Sequence, residues 1–302
     1  MEPQRTSDTV SNTANNRSRG QGARLRFTKM HGLGNDFMVI DLVTQRAQLN
    51  PEQIRAWADR RTGIGFDQLL LLEPPTHPDS DFRYRIFNAD GTEVEQCGNG
   101  VRCVGRFISD QQLSPKAVLT LETSSGCVQV SLGDDDAVRV NMGVPDLSLA
   151  RIPFAAAHAR QVDAVRYALQ TSQGEVIVVP VSIGNPHAVL FVDDAQRAPV
   201  TSLGEELQMH PAFPARVNVG FCEVVDEGFA RLRVFERGVG ETRACGTGAC
   251  AAAVAGQLTG QLGTQVKLSL SGGKLRIAWP GRDHPISMTG PASSVYEGQL
   301  DT

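Results

Sequence analysis

The pentapeptide Gln96-Cys97-Gly98-Asn99-Gly100 returns, with changes, as Ala244-Cys245-Gly246-Thr247-Gly248, 148 positions further along a chain of 302 residues. Each copy follows strand-like sequence and an acidic, glycine-containing turn, and each leads into a helix-like run. A repeat spaced at about half the chain constrains the fold to two similar halves, each bringing one Cys-Gly-x-Gly turn to a shared cleft. Length points the same way, since domains run to roughly 100–200 residues. The strand pattern breaks at Gly143-Val144-Pro145, so the expected domains are 24–143 and 144–286. Residues 1–23 are rich in Asn, Ser, Thr, Arg and Gln, have little to bury, and read as a disordered extension.

Strand-like runs dominate what lies between. Asp81–Phe87 alternates Phe82, Tyr84 and Ile86 against Arg83 and Arg85, and similar short runs are expected at 25–30, 37–41, 118–122, 128–132 and 138–142. The second half repeats the style at 176–183, 188–192, 217–225, 230–235, 266–270 and 275–279. Three helices are expected. Asn50-Pro51 supplies a cap and first turn for 51–61, and two helices, 98–108 and 246–258, start directly after Cys97 and Cys245. The second of these is apolar nearly all round, as a helix enclosed by sheet would be. The fold class is therefore α/β, with mixed sheets wrapped around central helices.

Lys plus Arg number 29 and Asp plus Glu 33, a net charge of −4. That balance gives no footprint for nucleic acid or an anionic membrane. No apolar run approaches the roughly 18–20 residues that span a bilayer. With no apolar segment after Met1, the cytoplasm is the expected compartment. The six cysteines lack the short C-x2-C spacing of zinc knuckles, so no metal is expected. Cys103, Cys127, Cys222 and Cys250 read as small buried packing residues.

Cys97 and Cys245 read differently. A thiol at a helix start feels the positive end of the dipole, which favours thiolate. The flanking glycines let a ligand approach the backbone, whose first-turn N–H groups form an anion site. Two facing turns can hold one carboxylate between them while their sulfurs flank its α-carbon. Inversion of that carbon needs one group to take a proton and another to deliver one to the opposite face, and a thiolate–thiol pair serves in both directions. The helix-start N–H groups would stabilise enolate-like charge without a cofactor.

At these residues the sequence resembles the diaminopimelate epimerase family. The resemblance runs through the blocks 27–37, 63–68, 87–91, 95–103, 184–187, 216–219 and 236–248, from Phe27-Thr28-Lys29-Met30-His31-Gly32 to Ala244-Cys245-Gly246-Thr247-Gly248. It implies interconversion of LL- and meso-2,6-diaminopimelate for lysine and peptidoglycan precursors, by a homodimer that uses no cofactor. It also implies two pseudo-symmetric domains with 287–302 returning to the first. The catalytic thiols fall on Cys97 and Cys245, and the α-carboxylate contacts on Gly98, Asn99, Gly246 and Thr247. Further substrate contacts fall on Asn35, Gln68, Asn88, Asn185, Asn218, Glu236 and Arg237, and His187 and Glu236 fall where thiol pKa values are tuned. The residue types suit a second amino-acid head: Arg237 for a distal carboxylate, Glu236 for an ammonium. Asn35, Asn88 and Asn185 also sit in turn-forming sequence. The alternatives are a proline-racemase-like enzyme of the same fold and a thiol redox switch that binds a ligand without turnover.

Overall fold

The computed structural model describes residues 24–94, 98–133 and 137–301. The chain first lays down β1 (Arg24–Gly32), β2 (Asn35–Asp41), α1 (Pro51–Ala58), β3 (Gln68–Glu73), β4 (Phe82–Asn88), β5 (Glu93–Val94), α2 (Gly98–Asp110), β6 (Val118–Thr123), β7 (Gly126–Leu132) and β8 (Ala137–Asn141). After the short β9 (Arg160–Gln161) and β10 (Tyr167–Thr171), the same succession starts again. It comprises β11 (Gly174–Ser182), β12 (Pro186–Phe191), α3 (Val200–Gln208), β13 (Asn218–Asp226), β14 (Phe229–Glu236), β15 (Gly240–Thr242), α4 (Gly246–Leu258), β16 (Gln265–Leu270), β17 (Gly273–Ala278) and β18 (Ser287–Pro291). A last strand, β19 (Ser293–Asp301), returns to pair antiparallel with β1.

The pairing repeats as faithfully as the order. β2 runs parallel to β3 and β4 to β6 in the first half; β12 runs parallel to β13 and β14 to β16 in the second. The halves join where β8 and β18 pair antiparallel, with Val140 opposite Met288. Those two residues are 148 positions apart, as Cys97 and Cys245 are, so the pair lies on the axis that relates the halves. Both are fully buried.

α2 and α4 sit inside this wrap. α2 buries Val101, Cys103, Val104, Phe107 and Ile108, and α4 buries its whole run from Gly248 to Gly256. The small side chains of α4 let strands approach it from all sides, which explains an apolar surface with no polar face. α1 and α3 lie outside, each over a separate apolar cluster: Ile54 with Met38, Ile40 and Leu69, and Leu203 and Leu207 with Val219 and Phe221.

Three departures from the sequence reading have clear causes. The first helix stops at Ala58 rather than continuing to Arg61, because the Asp59 carboxylate accepts from the backbone N–H groups of Arg61 and Thr62 and folds the chain into a turn. β3 carries Leu69–Leu72, all four buried, without the alternation that marks a half-exposed strand, because both its faces are covered: Leu69 and Leu71 join the cluster under α1, and Leu70 and Leu72 join the cluster around α2. α3 has no side-chain N-cap and a glycine at its centre. That glycine is required, since a Cβ at Gly204 would lie 2.6 Å from Cγ of Phe235.

Candidate active site

The N-termini of α2 and α4 meet on the axis. A Cβ built at Gly98 would lie 3.9 Å from the Gly246 Cα and 3.3 Å from Cε of Met288, and one at Gly246 would lie 3.0 Å from Sδ of Met288. Glycine is what allows the two turns to come together over that methionine. Cys97 lies outside the described residues; α2 begins at the residue after it. Cys245 caps α4: its Sγ accepts from the Gly248 N–H at 3.4 Å and lies 3.5 Å from Oγ1 of Thr247.

The electrostatics of Cys245 correct the expectation of a helix-start thiolate. The thiol is 4% exposed, and its pKa is pushed well above the ordinary range, first by burial and then by the Glu236 carboxylate. Hydrogen bonds from Thr247 and the Gly248 N–H pull the other way but do not prevail. Burial thus favours the neutral thiol at Cys245. Glu236 is raised as well, by its own burial, against hydrogen bonds from the Thr242 hydroxyl and Cys245.

Four of the expected contact residues are joined at these turns in two related pairs. In the first half, Asn99 Nδ2 donates to Asn35 Oδ1 at 3.2 Å; in the second, Asn185 Nδ2 donates to Thr247 Oγ1 at 3.4 Å. Asn99 and Thr247 occupy equivalent places two residues after their cysteines. His187 is buried and kept neutral, its pKa brought down to about 3 by burial and by Arg237. The Asn185 Oδ1 can only accept, so at 3.0 Å the His187 Nε2 is the nitrogen that donates. Among the described residues, His187 connects to Cys245 through Asn185 and Thr247, and it orients an amide rather than carrying charge.

On β3 and β4, Gln68 Nε2 donates to Asn88 Oδ1 at 3.0 Å. The Oε1 of Gln68 is buried with no hydrogen-bond partner among the described residues. Asn218 donates to the Pro186 carbonyl and accepts from the Arg237 N–H, at 3.1 and 2.9 Å. The Arg237 guanidinium is exposed and touches the Ala215 carbonyl at 3.1 Å, leaving other N–H groups available. Asn99 spends both ends of its amide on protein, so a ligand there meets its backbone N–H.

Sequence reasoning missed Arg102, which is fully buried in α2 and donates to Asn99 Oδ1 at 2.8 Å. Its only signal was a charged residue on the buried face of a helix. Of the remaining cysteines, Cys103, Cys222 and Cys250 are buried as expected, and the last two thiols are pushed up to about 12 by burial. Cys127 is exposed instead: it lies opposite Glu122 on the outward face of β7, while its neighbour Val128 turns inward opposite buried Leu121.

The architecture is shared with solved structures of an epimerase and an isomerase. It superposes on a crystal structure of a hydroxyproline epimerase from Agrobacterium vitis with a TM-score of 0.64 and 19% identity, over 92% of this chain and 93% of that one. A methylitaconate-delta-isomerase structure gives 0.63 and 15%, over 93% and 96%. At these identities the likeness is one of fold. Within that class, the chain belongs to the diaminopimelate epimerase family, which matches residues 27–148 and 179–295. Relatives named diaminopimelate epimerase from Azotobacter vinelandii and Ectopseudomonas mendocina are 57% and 56% identical over 276 residues, covering 91% of this chain and 99% of theirs.

Proposed function

We infer that the chain interconverts LL- and meso-2,6-diaminopimelate by proton exchange at one α-carbon, with Cys97 and Cys245 on its two faces. The observation that carries this is the meeting of two glycine-opened helix starts, one capped by a thiol held neutral. A neutral Cys245 is ready to deliver a proton, which leaves Cys97 to remove one in the forward sense; reversal exchanges the roles. The N–H groups of Gly98, Asn99, Gly246 and Thr247 hold the α-carboxylate and stabilise charge as the proton leaves.

The second head of the substrate falls to the surrounding polar side chains. Arg237 offers free guanidinium N–H groups to a carboxylate, and the unpartnered Gln68 Oε1 together with Glu236 offers acceptors to an ammonium. A monofunctional amino acid would leave these groups unpaired and is disfavoured for that reason. Residues 24–143 and 144–286 serve as the two domains of the cleft, supported by the repeated element order, and the family resemblance favours a homodimer in the cytoplasm. No helix among the described residues is long and apolar enough to cross a membrane.

The test is solvent-deuterium exchange without added pyridoxal phosphate or metal. Incorporation at the α-carbon of LL-diaminopimelate, with none into L-proline, is the expected result. Absence of exchange into diaminopimelate refutes the inference, and exchange into proline alone favours a proline-racemase-like activity.

A further inference from the structure

A chain of hydrogen bonds with a fixed direction runs through the first half of the site and crosses into the second. Asn35 Nδ2 donates to Asp67 Oδ2 at 2.8 Å, and Asn99 Nδ2 donates to Asn35 Oδ1 at 3.2 Å and to the carbonyl of Ala244 at 2.9 Å. Arg102 Nη2 donates to Asn99 Oδ1 at 2.8 Å. A carboxylate only accepts and a guanidinium only donates. With one at each end, neither amide can turn over without setting donor against donor.

Both ends are anchored. Asp67 accepts from Arg60 at 2.7 Å and from the Asp36 N–H at 3.1 Å. Arg102 reaches the Pro291 carbonyl at 3.3 Å and Sδ of Met288 at 3.5 Å, both on β18. Glycines make room for its guanidinium: a Cβ at Gly32 or Gly290 would come within 3.3 Å of Arg102 nitrogens. Ala244, where the chain ends, is the residue before Cys245.

The other half builds an equivalent helix without these parts. Five residues after Cys245 stands Cys250, where Arg102 stands five after Cys97. In the matching parallel pairs, Phe37 lies opposite Gln68 and His187 opposite Asn218, so Asp67 corresponds to buried Val217. A buried guanidinium is costly to desolvate, and α4 forms without one. The fold does not call for Arg102; the crossing to Ala244 does.

We propose that Arg102 and Asp67 are positioning residues which lock the Asn35–Asn99 amide pair and thereby set the placement of the Cys245 turn against the start of α2. This rests on the two-thiol reading above. If the spacing of the two turns is what the lock provides, loosening it harms transfer across both faces more than proton removal from one.

The experiment compares two reactions in Arg102→Lys and Asp67→Ala. Lysine keeps the charge but loses the planar fork, and Asp67 is half-exposed at its side chain, 44%, so its loss spares the core. Epimerisation of LL-diaminopimelate should show kcat lowered on the order of 10- to 100-fold in Arg102→Lys, with KM within about threefold, and a smaller fall in Asp67→Ala. Halide loss from a β-halogenated diaminopimelate needs α-proton removal from one face only and should stay within about threefold of the parent enzyme. Parallel loss of both reactions, or no change in either, overturns the proposal. A parent enzyme that fails to epimerise diaminopimelate overturns the function on which it rests instead.

Discussion

Replacing His187 by glutamine tests the neutral state of the buried imidazole, because it removes a titrating group while keeping a donor for Asn185. In the fold, burial and Arg237 hold His187 at a pKa of about 3, against an ordinary value of 6.5. The unfolded chain therefore binds a proton that the folded one refuses whenever the pH lies between those values. Stability from this group is fully present above pH 6.5 and is lost as pH falls toward 3. Each pKa unit corresponds to about 1.4 kcal/mol. Between pH 7 and pH 5 the unfolded state takes up most of one proton and the folded state almost none, so His187 alone should lower the unfolding free energy by about 2 kcal/mol. Urea denaturation at the two pH values, in the parent and in His187→Gln, isolates the contribution as the difference between two slopes. The parent should lose about 2 kcal/mol more than the variant over this interval. Equal losses would refute the reasoning, since they would mean the imidazole titrates alike in both states. Because folded His187 stays neutral down to about pH 3, it should not set an acid limb of activity near pH 6 either.

Glu236→Gln removes the charge that, after burial, raises the Cys245 thiol. In a Cys97→Ser background, the pH midpoint for alkylation of Cys245 should drop with this change; an unmoved midpoint would show that burial alone sets it. Gly246→Ala places a methyl 3.0 Å from Sδ of fully buried Met288. It should cost about 1–3 kcal/mol in thermal or urea unfolding and reduce turnover by parting the two turns, and a variant as stable and active as the parent would show the contact to be slack.

Much of the site was legible in the sequence because its geometry is local. Cys-Gly-x-Gly before a helix-forming run describes a cap, a turn and an anion site within four residues, and both α2 and α4 start where that pattern predicts. Gly-Asn-Pro-His places Asn185 and His187 on the same short segment, so their hydrogen bond follows from nearness. What escaped was decided by neighbours far along the chain. The leucine run of β3 has no periodicity of its own and becomes a strand through its parallel pairing with β2. α3 carries a central glycine that looks like a breaker until Phe235 is seen to occupy the space of its missing side chain.

The repeated cysteine turns, by themselves, determined that there would be two halves and one shared cleft. They did not determine what differs between the halves. Equivalent places hold Asn88 and Glu236, Arg102 and Cys250, and only the folded chain shows Glu236 beside a buried thiol or Arg102 gripping an amide that reaches across to Ala244. The reason is physical: hydrogen-bond direction can be read along a backbone, but desolvation depends on every atom that excludes water, and those atoms are brought together by the fold alone.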